Sequence, residues 1–338
     1  MPLGLEWFPG GRGPAVQCDL CPKACVMRPG ERGDCRIRVN LDGKLTASTF
    51  GLPSAVHVDP VEKKPLYHFR PGLPILSLAT AGCNLHCRNC QNWTLSQANP
   101  EDMENVSLPP AEIVALARRN RVPMVAFTYS EPLVFYEYTY EGSQAAREAG
   151  METVLVTAGY ANPGPLRRLY GVTSAANTDL KAFSDRFYRD VCGATLKPVL
   201  DGLVLAKEMS VWLEVTKLVI PTLNDDPGLV KEMARWMVRN LGPDTPLHFS
   251  RFSPRYKLEN LPPTPAETLT RLADVAREQG VRHVYVGNVL GSEEQNTLCP
   301  GCRRVLVERS GFHIRKHLLK DTGGRCPGCG LSIPGVWS

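Results

Sequence analysis

Eleven of the twelve cysteines in this chain of 338 residues fall into three tight groups. Thiols spaced as CxxC or CxxxC converge readily on one metal centre. Disulfides are the alternative, but the N-terminus shows no secretory signal, and a reducing cytosol would keep the thiols free. The groups are Cys18, Cys21, Cys25 and Cys35; Cys83, Cys87 and Cys90; and Cys299, Cys302, Cys326 and Cys329.

The central group has the spacing C-x3-C-x2-C and lies directly after a predicted strand. Three thiolates on one short loop can bind three irons of a cubane [4Fe–4S] cluster. The fourth iron would then lack a protein ligand and would be open to a chelating substrate. A catalytic zinc ion with an open fourth position is the alternative for this spacing.

Polar residues lie in or just after the strands predicted downstream. If the strands are parallel, these side chains converge on one site. Glu131 can accept hydrogen bonds from an ammonium group, and Lys181 can bind a carboxylate. Each residue alone has a structural alternative, such as a helix N-terminus for Glu131 or a core position for His248. The candidates are Tyr129, Ser130, Glu131, Thr157, Asp179, Lys181, Thr216, Lys217, His248 and Arg251.

The twelfth cysteine, Cys192, stands alone in the sequence. A free cysteine of this kind is more often a small buried hydrophobe than a hydrogen-atom donor. We therefore assign no catalytic residue and keep Cys192 as the weakest candidate.

The elements that must position these residues are short apolar runs alternating with helical patterns. This alternation predicts an α/β fold with a parallel sheet. Periodicity does not choose between an open doubly wound sheet and a partial barrel. The predicted strands are residues 75–79, 124–129, 153–157, 173–180, 211–220 and 246–252, with 283–286 as one more.

Helix boundaries are predicted from proline, glycine and capping residues. Pro110 opens one helix, and Asp226 caps another. The segment from Leu133 ends at Gly150, a natural residue after a helix C-terminus. The run 264–267, Thr-Pro-Ala-Glu, reads as a capping box.

The two ends differ from the middle. We predict a cysteine-rich metal-binding region over residues 1–50, a central domain over 51–290 and a zinc-ribbon-like domain over 291–338. The C-terminal knuckles are typical of a structural zinc site, and a rubredoxin-like iron site uses the same ligands. The N-terminal group could hold zinc or an auxiliary iron–sulfur cluster, and we favour zinc.

The chain from Leu76 to Asn288 resembles the radical SAM superfamily, whose motif is CxxxCxxC after the first barrel strand. The resemblance implies a partial (β/α)6 barrel and a [4Fe–4S] cluster that binds S-adenosylmethionine (SAM) at its open iron. An electron from the cluster would split SAM into methionine and a 5′-deoxyadenosyl radical, which abstracts hydrogen. Asn89 stands where an aromatic residue is common. The matching loop reads Ala81-Gly82-Cys83-Asn84-Leu85-His86-Cys87-Arg88-Asn89-Cys90.

The same resemblance implies roles for the strand-end residues. Residues 129–131, Tyr-Ser-Glu, look like the amino-group motif usually written Gly-Gly-Glu, with both glycines replaced. Residues 179–181, Asp-Leu-Lys, look like a segment of glycyl-radical-enzyme activases in which the Asp helps to hold a monovalent cation. Val156 replaces a second acidic residue of that cation site. His248 resembles the activase histidine near SAM.

The full layout resembles the radical SAM proteins of the AmmeMemoRadiSam system, which are related to pyruvate formate-lyase activating enzyme. That resemblance implies Memo-like and AMMECR-type partners and a reductant such as flavodoxin or ferredoxin. Besides the terminal knuckles, it rests on residues 18–22, 59–68, 82–84, 91–93 and 179–183.

The predicted function is reductive SAM cleavage and hydrogen abstraction from an unidentified substrate. Activation of a glycyl-radical enzyme is one version, although the chain lacks the ferredoxin-like cysteine insert that many activases carry. The alternatives are modification of a small molecule or RNA, and a non-catalytic, zinc-stapled binding protein. The net charge of +5 does not demand a nucleic-acid surface, and no apolar run could span a membrane, so we expect a cytoplasmic protein.

Overall fold

The computed structural model of the chain describes residues 7–9, 14–289 and 291–338. The first six residues of the predicted N-terminal region lie outside the described residues, as does Leu290 at the predicted domain boundary. All twelve cysteines are free thiols. No helix in the described ranges is long and apolar enough to cross a membrane.

Two small antiparallel sheets precede the central sheet. The first contains three strands in sequence order, and the second is a hairpin. Apolar side chains in and beside these strands, including Val16, Leu20 and Ile37, belong to the same core cluster as the barrel residues. The strands are β1 (Trp7–Pro9), β2 (Val16–Cys18), β3 (Val26–Met27), β4 (Arg38–Leu41) and β5 (Lys44–Ala47).

The central sheet has eight strands whose order follows the sequence without reversal. Seven strands are parallel, and one antiparallel strand, β6, pairs with the first of them. A doubly wound sheet would reverse its strand order, so this topology is the predicted partial barrel. The strands are β6 (Ala55–Pro60), β7 (Pro74–Ala79), β8 (Met124–Phe127), β9 (Glu152–Thr157), β10 (Ala175–Asp179), β11 (Trp212–Val219), β12 (Leu247–Arg251) and β13 (Val284–Gly287).

The helices follow the strands as βαβ crossovers require. As predicted, α2 begins at Pro110, and the Asp226 side chain caps α7 by accepting from the Leu229 N–H at 2.9 Å. The helices are α1 (Trp93–Ser96), α2 (Pro110–Arg119), α3 (Tyr136–Glu148), α4 (Pro163–Tyr170), α5 (Asp185–Phe187), α6 (Leu196–Glu208), α7 (Pro227–Leu241) and α8 (Ala266–Glu278).

The predicted capping box at α8 is wrong. The Thr264 hydroxyl does not cap the helix, because it donates to the Val219 carbonyl at 2.6 Å and accepts from the Phe252 N–H at 3.1 Å. Thr264 therefore links the ends of β11 and β12.

The C-terminal segment forms a three-stranded antiparallel sheet from β14 (Thr297–Leu298), β15 (Val305–Ser310) and β16 (His313–His317). It has a separate core cluster that contains Leu306, Leu319 and Trp337. The fully buried Arg309 joins this unit to the barrel by donating to the Tyr67 carbonyl at 2.7 Å.

Candidate active site

A cavity of about 920 Å³ opens inside the barrel. Eleven of the thirteen candidate residues of the central site line it, although they come from six different segments of the chain. The other two candidates, Lys217 and Arg251, are not among its lining residues. The predicted residues that line it are Cys83, Cys87, Cys90, Tyr129, Ser130, Glu131, Thr157, Asp179, Lys181, Thr216 and His248.

The loop that carries the three central cysteines follows β7 and is fixed from the barrel side. The His86 N–H donates to the Cys192 carbonyl at 2.8 Å, and the Arg88 N–H donates to the Val191 carbonyl at 2.9 Å. Both acceptors lie in the π-helical turn Tyr188–Cys192. Single π turns are frequent at functional sites, and the two hydrogen bonds to this one fix the position of the cysteine loop beside the cavity.

Cys192 is fully buried beside Cys87. Its thiol forms a hydrogen bond with Cys87, which, together with the charge of Lys181, lowers the pKa of Cys87 to about 7 despite burial. The same contact raises the pKa of Cys192. Cys87 therefore ionises more readily than Cys192, and the thiolate is the form that binds metal.

Glu131 follows β8 and is held by three donors. Its Oε1 accepts from the Thr157 hydroxyl at 2.5 Å and the Leu133 N–H at 3.2 Å, and its Oε2 accepts from the Ala158 N–H at 2.7 Å. Burial raises the pKa of Glu131, and these hydrogen bonds oppose the shift. Since a carboxylate offers about four acceptor sites, one remains for a ligand.

Tyr129, which the resemblance places at the first glycine of the Gly-Gly-Glu motif, has φ of +63°, a conformation that favours glycine. Three contacts fix it there. Its hydroxyl donates to Asp59, its carbonyl accepts from the Asn92 amide at 2.9 Å, and the Lys64 ammonium lies 4.3 Å from its ring centroid. Tyr129 therefore holds a backbone conformation that glycine adopts more easily.

Asp179, Thr216 and His248 are neighbours in register on adjacent strands, so they form one row across the cavity wall. The Lys181 ammonium contacts Asp179 at 2.8 Å. Burial alone would lower the pKa of Lys181, but the charges of Asp179 and Cys87 outweigh it and raise the pKa. Lys181 therefore presents a stable positive charge to the cavity.

The sequence did not identify Glu214, which is fully buried behind this wall and contacts His248. Its carboxylate accepts from the Tyr67 N–H at 3.0 Å, the His68 N–H at 2.8 Å and the His248 ring at 2.7 Å. Burial alone would raise the pKa of Glu214, but the His248 contact and nearby positive charge lower it to about 2. An acidic residue inside the apolar strand β11 was the available signal.

Two further wall segments were not predicted. Glu62 and Lys63 line the cavity on one side. The tip of the β15–β16 hairpin, residues 310–312, lines it as well, although it belongs to the C-terminal unit. The position of the hairpin depends on contacts distant in sequence, which leave no local pattern.

The C-terminal cysteines converge on one point. Cys299 and Cys329 have sulfurs 3.5 Å apart, and Cys302 and Cys326 have sulfurs 3.6 Å apart. All four sulfurs lie within 4.8 Å of one another, as a single metal ion requires. Tetrahedral coordination at the usual Zn–S distance separates the sulfurs by about 3.8 Å.

The N-terminal cysteines lie around the β2–β3 turn and before β4. Cys18, Cys21 and Cys35 are buried, and Cys25 is half-buried. They lie against the cluster loop: a Cβ at Gly82, where φ is +88°, would be 2.4 Å from the Cys35 carbonyl oxygen.

Known proteins resemble this chain in sequence and in fold. The family model described as "Radical SAM superfamily" matches residues 77–236. The "Uncharacterized protein MJ0808" of Methanocaldococcus jannaschii is 44% identical over 318 residues, covering 94% of this chain and 95% of the relative. The pyruvate formate-lyase-activating enzyme of Clostridium pasteurianum is 23% identical over 163 residues, covering 47% and 67%.

Two solved structures share the fold. A radical SAM methyltransferase from Sphaerobacter thermophilus has a TM-score of 0.50 at 15% identity, covering 65% of this chain and 68% of that chain. Streptococcus suis SuiB, bound to the precursor peptide SuiA, has a TM-score of 0.51 at 13% identity, covering 68% and 51%. Together with the cysteine loop at the cavity floor, these similarities show that the chain belongs to the radical SAM superfamily.

Proposed function

We propose that the chain cleaves SAM reductively at a [4Fe–4S] cluster bound by Cys83, Cys87 and Cys90, and abstracts hydrogen from a substrate in the same cavity. The observation that carries this proposal is the convergence of these three thiols with Glu131 and Lys181 on one cavity. When bound, the cluster would supply the electron that splits SAM into methionine and a 5′-deoxyadenosyl radical.

The thiols fit a cluster with one open iron. The three sulfurs are not all within 4.8 Å of one another, unlike those of the C-terminal set, and thiolates on a cubane stand apart because each binds a different iron. Cys192 contacts Cys87 as a hydrogen-bond donor, so it supports a ligand and does not supply a fourth.

The charged residues suit the amino acid portion of SAM. Glu131 has one acceptor site left, which suits the ammonium group. Lys181 provides the opposite charge for the carboxylate. Thr216 has a buried hydroxyl without a protein partner that lines the cavity and offers a further hydrogen bond. These residues would orient SAM before it receives the electron.

Two substrate classes follow from different observations. The similarity to pyruvate formate-lyase-activating enzyme supports a protein substrate that receives a glycyl radical. The cavity volume is at the upper end of the roughly 300–1,000 Å³ typical of small-molecule sites, and the hairpin tip forms part of the cavity wall. Both observations support a small substrate beside SAM. We favour the small substrate because a folded protein partner would have to reach the cavity past the hairpin tip in its wall.

The C-terminal set of four cysteines is proposed to hold structural zinc, because its sulfur spacing fits one tetrahedral ion.

A one-electron reductant such as flavodoxin or ferredoxin is required, as for radical SAM enzymes in general. Memo-like and AMMECR-type partners remain predictions. Membership of an enzyme superfamily argues against the non-catalytic alternative.

The test is anaerobic reduction of the protein with added SAM, followed by measurement of 5′-deoxyadenosine. Product from the parent protein and none from Cys87→Ala would support the proposal. No product from a parent with a full, reducible cluster would refute it. Adding the small-molecule or the macromolecular fraction of a cell extract then distinguishes the substrate classes by which one accelerates product formation.

A further inference from the structure

The backbone brings the N-terminal cysteines together. The Cys18 N–H donates to the Cys25 carbonyl at 3.0 Å, and the Cys25 sulfur accepts from the Asp34 N–H, next to Cys35, at 3.4 Å. Cys18, Cys21 and Cys35 are buried and Cys25 is half-buried. A group of buried thiols without disulfides suits a metal centre.

A buried cation beside this set lacks acceptors. Arg38 acts electrostatically on Cys18 and Cys35, and its side chain is only 2% exposed. Its Nη1 donates to Glu137 at 2.8 Å, but its Nε and Nη2 have no partner. Buried donors normally have acceptors, so the unpartnered N–H groups indicate an anionic centre among the cysteines.

The sulfur spacing indicates the kind of centre. Within the described ranges, only the C-terminal cysteines form a group whose sulfurs all lie within 4.8 Å of one another. No three of the N-terminal sulfurs do so. Because a single tetrahedral zinc ion holds its sulfurs about 3.8 Å apart, the wider N-terminal set fits a multi-iron cluster better. The three sulfurs of the cluster loop do not all lie within 4.8 Å of one another either.

The N-terminal cysteine group also packs directly against the cluster loop. Two loop residues contact it: Gly82 packs on the Cys35 carbonyl, and the His86 ring contacts Asp34, the residue before Cys35, at 2.8 Å. No other element separates the two groups of thiols at these contacts.

We propose that Cys18, Cys21, Cys25 and Cys35 bind a second [4Fe–4S] cluster directly behind the loop that binds the first. This differs from the zinc ion that the sequence favoured. The binding of a cluster by these four thiolates does not depend on the proposed function. The role of the second cluster does rest on that function: one electron passes from a flavodoxin or ferredoxin to the second cluster, and from there to the first. Val26, exposed beside Cys25, marks the side nearer the surface.

The test uses the full chain with Cys83→Ala, Cys87→Ala and Cys90→Ala combined, reconstituted anaerobically with ferrous iron and sulfide. We expect about four irons and about four sulfides per chain, and a reduced electron paramagnetic resonance signal that SAM does not change. Zinc should amount to about one ion per chain, at the C-terminal set. Two zinc ions without iron, one iron without sulfide, or an empty N-terminal set would each overturn the proposal.

A second variant separates this inference from the proposed function. Cys25→Ala removes the half-buried ligand, so the barrel should remain folded and keep a SAM-responsive cluster, while the second signal is lost or changes shape because one iron loses its thiolate. An unchanged second signal would overturn the proposal. If the triple variant holds iron and sulfide but the parent never cleaves SAM, the proposed function fails and the second cluster stands.

Discussion

The two terminal groups of four cysteines offer the same ligands but are built into the molecule in different ways. The N-terminal group shares the core of the barrel, where Leu20 and Ile37 pack with it. The C-terminal group lies in a unit with its own core around Leu306 and Trp337. A change at the N-terminal group should therefore affect the whole barrel, whereas one at the C-terminal group should stay local.

The two groups of cysteines also differ in their exposure to solvent. Cys302 and Cys329 are exposed, whereas three of the four N-terminal cysteines are buried. Because the ligand type is the same, we expect this difference in burial to make a metal at the N-terminal group exchange with solvent more slowly than one at the C-terminal group. The following variants test that distinction, in order of decreasing expected effect.

The largest effect should come from Arg38→Leu. The Glu137 carboxylate in α3 then stays buried but loses its 2.8 Å ion pair with Arg38. Loss of one partner of a buried pair costs about 3–5 kcal/mol. Urea unfolding followed by circular dichroism should show this loss for the entire barrel.

The matched control is Lys197→Leu, which removes an exposed ion pair with Asp201 and should cost less than about 0.5 kcal/mol. Equal losses from the two variants would mean that the N-terminal region is not coupled to the barrel core.

Gly82→Ala should have the next largest effect, because its Cβ would collide with the Cys35 carbonyl and φ is +88°. Overpacking and backbone strain together should cost about 2–3 kcal/mol and reduce iron content. Gly150→Ala is the control: φ is +78°, but nothing lies within 4 Å, so only about 1 kcal/mol is expected. If the variants unfold at the same urea concentration, contact between the loop and the N-terminal group is unimportant.

The parallel barrel strands could be predicted because most of them contain short buried apolar runs. Predicted strand 153–157 and observed strand Glu152–Thr157, for example, differ by one residue. β6 was missed because it is an edge strand with exposed His57 and Val58, so it carries no buried apolar run. The capping box failed because the Thr264 hydroxyl binds tertiary partners that no local pattern contains.

The cavity residues could be predicted from the same logic, since parallel topology brings residues in and just after successive strands to one site. What the sequence could not supply was the relation between distant segments. Contact of Gly82 with Cys35, and of the 310–312 hairpin tip with the cavity, depends on how the small units dock. Glu214 was missed for the same reason, because its partners Tyr67 and His68 are distant in sequence.

Cys326→Ser should have a smaller effect on the barrel, although it removes a C-terminal ligand. Zinc content should fall by about one ion per chain, and the β15–β16 hairpin should become sensitive to protease. The barrel transition should change by less than about 1 kcal/mol, because the C-terminal core is separate. Cooperative loss of the barrel and its iron would remove the distinction between the two ends.

The smallest effect concerns the cluster loop, which the N-terminal group supports from one side and the π-helical turn from the other. Cys192→Ala removes the thiol that donates to Cys87 while leaving the backbone bonds of the turn in place. A weak hydrogen bond of about 0.5–1 kcal/mol to a ligand sulfur favours the reduced cluster, so its loss should lower the potential by about 20–40 mV. Redox titration of the SAM-responsive signal measures this shift, and the second cluster serves as an internal control. An unchanged potential would mean that Cys192 only fills space, and a shift in both signals would mean that the variant disturbs the fold.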